Sequence, residues 1–228
     1  MQNFILNRKI AQLAVLQRIE LCEPGLKKLR KLLGRYFFSI FLSKYFINPI
    51  KISKSYLDLM EKEFLIIKKY IKNNDKILSI GSGIGGLEVL MNKKFDSHIS
   101  FIEKNYISKK IKYGWDKNNN EAYNSLNLLE RFLQDNGIKK NKFNIFDFDK
   151  DKLPITKFDV IVSLYSLDYH YEFDLYKDYL TKVMKPDTIL ILDTIRPNYF
   201  KEIFKKVEII KQDFHTVHKS KRVVCKNL

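Results

Sequence analysis

The residues able to do chemistry fall into a few short stretches. Gly81, Gly83, Gly85 and Gly86 crowd into GSGIGG, and Glu103 follows 22 residues after Gly81. A glycine lets the backbone pass close to a ligand, because no Cβ intervenes and positive φ is cheap. Where such a turn opens a helix, unpaired backbone N–H groups face an anion. A carboxylate at the end of the following strand can take two ribose hydroxyls. Further along, SLYSLDYHY (163–171) offers Asp168, His170 and three tyrosines, Tyr171 among them. A histidine accepts a hydroxyl proton near neutral pH, since its unperturbed pKa is about 6.5. The remaining candidates are Tyr113 and Trp115 in YGW, Arg196 in DTIRP, and His215 and His218 in HTVH.

These residues need elements to hold them. Ile77–Ile80 reads as a buried strand, Gly81–Gly86 as a turn, Leu87, Leu90 and Met91 as one face of a helix, and Ile99–Ile102 as a second strand ending on Glu103. Strand, glycine turn, helix, strand is half of a nucleotide-binding α/β sheet. The glycine string fits two ligands. Gly81, Gly83 and Gly86 satisfy the dinucleotide pattern G-x-G-x-x-G, and Gly81, Gly83 and Gly85 satisfy the G-x-G-x-G of S-adenosylmethionine enzymes.

Three more stretches bear on the choice: Asp147 after the apolar run Phe143–Phe146, FDVIVSL at Phe158–Leu164, and KVMKPDTILILD at Lys182–Asp193. With them the chain resembles class I S-adenosylmethionine-dependent methyltransferases over residues 73–228. The resemblance implies an α/β fold, a doubly wound, mostly parallel seven-stranded sheet whose last strand is antiparallel. It implies S-adenosyl-L-methionine as cofactor, held by Gly81, Ser82, Gly83, Gly85, Glu103, Asp147, Phe148 and Ser163, with Asp147 on the adenine amine. Ser79 departs from the pattern, because the family often has an acidic residue there. The resemblance puts the methyl acceptor beside 163–171. There His170 reads as general base, as a substrate hydrogen-bonder or as a structural histidine, and Tyr113, Trp115, Asp168, Tyr171, Arg196, His215 and His218 are the substrate-side candidates. Methyl transfer from a sulfonium needs little beyond in-line positioning. YGW, SLYSLDYHY and DTIRP together resemble methyltransferases of bacterial sugar and surface-glycan gene sets, which implies a sugar or related small-metabolite hydroxyl as acceptor. His215 and His218 have no carboxylate or cysteine partner at convincing spacing, so no metal site is expected.

The rest of the chain frames this unit. Residues 1–72 read as a helical extension: 1–21 at near-helical apolar spacing, 26–46 basic and aromatic, and Ser53–Ile71 with Leu57, Met60, Phe64 and Ile67 on one face. Three readings fit the extension: a packing cap, a substrate-selecting lid, or a surface for anionic membrane or RNA. Residues 104–120 read as a loop, Glu121–Asn136 as a helix stopped by Gly137, and Val207–Ile210 and Arg222–Cys225 as the last two strands.

The net charge of +16 suits a nucleic-acid acceptor, the alternative reading. Only seven of the 42 basic residues are arginine, the residue favoured for bidentate phosphate or base recognition. No base-gripping Asn-Pro-Pro-Tyr-type motif follows Leu164. A non-catalytic cofactor-binding protein is a third class. A nicotinamide dehydrogenase fits less well, since the 142 residues after Gly86 are taken up in finishing one sheet. Two cysteines, Cys22 and Cys225, form no framework, and no signal peptide or membrane span is read, which leads to the expectation of a cytoplasmic protein.

Overall fold

The computed structural model describes residues 3–22, 25, 28, 32, 33, 37, 38, 47–108, 122–168, 171–212 and 219–227. Most of the expected basic helix over 26–46, and Tyr113, Trp115, His170, His215 and His218, lie outside the described residues.

Seven strands form one sheet: β1 (Lys76–Ile80), β2 (His98–Glu103), β3 (Phe143–Asp147), β4 (Phe158–Ser163), β5 (Met184–Thr194), β6 (Lys206–Gln212) and β7 (Lys221–Lys226). Their order is β3-β2-β1-β4-β5-β7-β6. β1 to β5 pair in parallel, and β7 runs antiparallel to both β5 and β6. This is the doubly wound sheet with an antiparallel last strand that the resemblance implies. The order reverses at β1, where β2 leaves on one side and β4 lies on the other. Open α/β sheets bind ligands at the carboxyl ends of strands beside such a reversal.

The central strands are mostly apolar because both faces are covered. Alternate residues point to opposite sides. Ile77, Ile99, Phe101, Val160, Val162 and Ile191 enter one core, while Leu78, Ile80, Ile102, Ile161, Leu190 and Leu192 enter the other. Helices α1 (Arg8–Gln17), α2 (Pro49–Ile67), α3 (Gly86–Phe95) and α4 (Leu126–Asp135) cover the first face; α5 (Asp174–Val183) and α6 (Pro197–Ile203) cover the second. Ile10, Leu13 and Leu16 of α1 are buried in the same core as Phe101. Each such side chain contributes about 1.5–3 kcal/mol of burial free energy, which holds α1 on the sheet.

Several boundaries differ from the sequence reading, each for a local reason. α2 begins at Pro49 rather than Ser53, because the Asn48 side chain accepts from the N–H of Ile50 and Lys51 and Pro49 suits the first helical position. α4 begins at Leu126 rather than Glu121. Residues 122–124 instead pair antiparallel with 106–108, through Ser108 N–H to Ala122 O and Asn124 N–H to Tyr106 O. β5 begins at Met184, so Lys185-Pro186 sits inside a strand. The pairing with β4 shifts register between Phe158 and Val160, and that irregularity accommodates the proline. Gly137 does stop α4, at φ +88°. No described helix is long and apolar enough to cross a membrane.

Candidate functional site

A cavity of about 590 Å3 opens at the carboxyl ends of β1, β2 and β4. Its floor is the turn between β1 and α3. Gly81 has φ +71° and a Cβ there would lie 1.9 Å from Ser166 Oγ; Gly83 has φ +68° and its Cβ would lie 2.6 Å from Gln17 Oε1. The sequence reading expected glycine here for backbone approach. The structure adds that side chains from elsewhere already fill the space a Cβ would need.

Glu103, at the end of β2, is buried and faces this turn. Its Oε1 accepts from Ser82 Oγ at 2.8 Å and from Gly83 N–H at 3.0 Å. Burial pushes its carboxyl up to about 7, against hydrogen bonds from Asn124, Ser82 and Gly83 that lower it. Glu88, on the first turn of α3, is 2% exposed, and its Oε1 accepts from Ser79 Oγ at 2.6 Å. Burial pushes Glu88 up to about 7 as well, and the nearby Glu103 adds to this. The helix after the turn thus sets a buried carboxyl beside Ser79.

The extension builds a second wall. Gln17, the last residue of α1, accepts from Ile84 N–H at 3.1 Å and donates to Tyr123 O at 2.6 Å. Asn124 Nδ2 donates to Gly83 O at 2.8 Å. Tyr56 Oη of α2 accepts from Gly86 N–H at 3.1 Å. α1 and α2 thus hold the glycine turn through its own backbone groups.

The third wall follows β4. Tyr165, at φ +56°, receives the Lys211 ammonium at 3.1 Å and donates to Glu63 Oε1 at 3.4 Å. The Arg18 guanidinium lies 4.7 Å from the centroid of its ring. Behind it, Arg222 is fully buried. It grips Asp193 with Nε and Nη2, both at 2.9 Å, and Glu63 with Nη1. Burial alone would raise Glu63, but Arg222 and Lys211 outweigh it and hold the carboxyl below its ordinary value. This network ties α2 to β5, β6 and β7 at the cavity edge.

Of the residues expected at the site, Gly81, Ser82, Gly83, Glu103 and Tyr171 line the cavity, and Gly85, at φ +82°, precedes the first residue of α3. Others have different employment. Asp147 turns back on the loop after β3, where Oδ1 accepts from Asp149 N–H at 3.1 Å. Phe148 packs on Tyr176, with ring centroids 5.1 Å apart, and does not line the cavity. Ser163 Oγ joins β4 to β1, donating to Ile80 O at 2.8 Å and accepting from Leu167 N–H at 2.9 Å. Asp168 and Arg196 take each other, with Arg196 Nε at 2.8 Å and Nη2 at 2.6 Å from Asp168 Oδ1, and neither lines the cavity. No group of three potential metal ligands occurs among the described residues.

Sequence reasoning missed Gln17, Arg18, Tyr56, Glu63, Glu88 and Asn124, all on the cavity wall. Only Glu88 carried a local signal: an acid in the otherwise apolar run GLEVLM, directly after the turn.

No family model and no curated protein matches the sequence. Solved structures do resemble the fold. One is coclaurine N-methyltransferase bound to N-methylheliamine and S-adenosylhomocysteine, at 14% identity over 65% of this chain and 36% of that one, with a TM-score of 0.41. Another is a SAM-dependent methyltransferase from Thiobacillus denitrificans in complex with S-adenosyl-L-homocysteine, at 11% identity over 69% and 51%, TM-score 0.42. A third is the [4+2]-cyclase SpnF, at 17% identity over 62% and 46%, TM-score 0.43. The chain thus spans about a third to a half of the length of these proteins. Likeness at this distance is silent on the reaction, and two of the three are methyltransferases while one is a cyclase.

Proposed function

We propose that the chain binds S-adenosylmethionine and transfers its methyl group to a hydroxyl of a small molecule or glycan, with a sugar hydroxyl as the leading acceptor class. The observation that carries the reading is Glu103, buried at the end of β2 and hydrogen-bonded to Gly83 N–H across a glycine turn whose side-chain space is filled. A nucleoside ligand fits that donor and acceptor set. Ribose hydroxyls would replace Ser82 Oγ on Glu103, and the backbone of Gly81 to Gly83 would lie against the ligand. When bound, the cofactor supplies a methyl group on a positively charged sulfur.

The chain's own residues then have to orient an acceptor and take its proton. Tyr165, Tyr171 and Glu172 on the β4 side, with Arg18 and Glu63 against Tyr165, give a wall rich in hydrogen-bonding groups, which suits a polyhydroxylated acceptor. His170, next to Tyr171 in the chain, is the proposed base. α1 and α2 contribute Gln17, Arg18, Tyr56 and Glu63 to the cavity, which favours the lid reading of the extension over the membrane-surface one. A cytoplasmic location is the reading suggested by sparse cysteine usage, Cys22 and Cys225 alone in 228 residues.

A nucleic-acid acceptor is the second reading, and the +16 charge favours it. Methyl transfer from labelled cofactor to nucleotide-sugars, lipid-linked glycans and bulk RNA separates the two. Label in a sugar-containing pool is expected. Label in RNA alone, surviving near-physiological salt, would put the second reading first, and label in none would remove the activity.

A further inference from the structure

Four buried side-chain atoms among the described residues have no hydrogen-bond partner: Arg18 Nε, Tyr70 Oη, Glu88 Oε2 and Ser97 Oγ. Two of them belong to residues on the cavity wall, and those two carry opposite charge. Buried polar atoms are nearly always paired, so an unpaired one in a binding site points to a partner that arrives with the ligand. Ser79 has one hydroxyl proton, and it goes to Glu88 Oε1. Nothing on β1 or α3 serves Oε2. Arg18 uses the face of its guanidinium on Tyr165, which leaves the in-plane Nε–H without an acceptor. Both residues line the same cavity as Tyr56, whose hydroxyl touches the glycine turn.

We infer that the cavity receives a zwitterionic end group, with its ammonium on Glu88 and its carboxylate on Arg18. The inference rests on the S-adenosylmethionine reading, because the methionyl end of that ligand carries both groups. It assigns two residues that the glycine pattern does not include, and it makes the end of α1 part of the cofactor site. An ammonium has three donors, so it can serve Glu88 Oε2 and keep others for backbone carbonyls. A carboxylate accepts the Arg18 Nε–H in a charge-assisted hydrogen bond. Each buried charge then meets its opposite, and neither is left exposed to the low dielectric alone. Glu88, pushed up to about 7 by burial, is partly protonated near neutrality without a ligand, and an adjacent ammonium holds it ionised.

The test is calorimetric binding of four ligands to the wild type, Glu88→Gln and Arg18→Gln. The ligands are S-adenosylhomocysteine, its desamino analogue, its decarboxylated analogue, and 5′-methylthioadenosine, which lacks both groups. The wild type should prefer S-adenosylhomocysteine over each single-deletion analogue by about ten- to a hundred-fold. Glu88→Gln should lose the preference for the amine and keep that for the carboxylate. Arg18→Gln should do the reverse, and all three proteins should bind 5′-methylthioadenosine alike. Returning a carboxylate to β1, as Ser79→Asp in the Glu88→Gln background, should restore the amine preference. Equal weakening of 5′-methylthioadenosine and S-adenosylhomocysteine in a variant would mark a structural role and overturn the inference. So would unchanged preferences in both variants. If the wild type binds 5′-methylthioadenosine and S-adenosylhomocysteine equally, the inference falls and the nucleoside site stands. If it binds none of the four, both fall together.

Discussion

Two carboxyls buried in one cavity make the ligand-free protein sensitive to pH in a direction opposite to that of most acidic residues. Glu88 and Glu103 each move from an ordinary 4.5 to about 7, chiefly through burial. A carboxyl raised in the folded state binds its proton more tightly there than in the unfolded chain. Its folded form is therefore least penalised below pH 4.5, and stability falls as pH rises toward 7. For one such group the loss is about 3 kcal/mol at pH 8 and under about 1 kcal/mol at pH 5. Replacing either by glutamine removes the ionisation while keeping an acceptor for Ser79 or for Ser82 and Gly83. Urea unfolding of the wild type, Glu88→Gln and Glu103→Gln at pH 5, 6, 7 and 8 reads the difference. Both variants should be nearly as stable as the wild type at pH 5 and more stable at pH 8, by about 2–3 kcal/mol each. The double variant should gain less than the sum, because the charge of Glu103 is part of what raises Glu88. A stability difference that is the same at pH 5 and pH 8 would refute the reasoning, since it would show that neither group titrates between them.

Three further outcomes are expected. Gly81→Ala places a Cβ 1.9 Å from Ser166 Oγ at φ +71°, so a thermal melt should show a loss of roughly 1–3 kcal/mol; adding Ser166→Gly should recover the contact part and leave the backbone part. Arg222→Met strands Asp193 and Glu63 without their buried cation, and chemical denaturation should show a loss of about 3–5 kcal/mol, a loss below about 1 kcal/mol being inconsistent with the network described. His170→Ala should lower turnover by about 10²–10⁴ with cofactor affinity nearly intact, the expected worth of a placed base; unchanged turnover would leave catalysis to positioning.

The parts of this protein that are legible in its sequence are those encoded locally. A short apolar run bounded by turn or charged residues reads as a strand, so β1, β2, β4 and the pair β6 and β7 could be placed within a residue or two. The glycine turn and Glu103 are likewise tied by one βαβ unit, and their meeting at 3.0 Å follows from strand and helix lengths. What could not be read is contact across the chain. Gln17 reaches Tyr123 over 106 residues, and Arg222 reaches Glu63 over 159. No periodicity marks such partners. Asp168 and Arg196 are partners of the same kind. Both start from the ligand edge of a strand, and both types suit substrate binding, yet they neutralise each other at 2.6–2.8 Å. Asp147 shows that the end of a strand is not enough to aim a side chain, because the tight loop after β3 draws its carboxylate to the backbone of Asp149.

Glu103 and the glycine turn are proposed to hold the adenosyl half of S-adenosylmethionine. Calorimetric titration of the wild type and Glu103→Ala with S-adenosylhomocysteine, beside NAD as the competing ligand of the same glycine pattern, tests it most directly. The wild type should bind S-adenosylhomocysteine and prefer it over NAD. Glu103→Ala, still folded by circular dichroism, should lose about 2–4 kcal/mol of binding, roughly 30- to 1,000-fold in affinity. Unchanged affinity in the folded variant, or tighter binding of NAD by the wild type, would contradict the account.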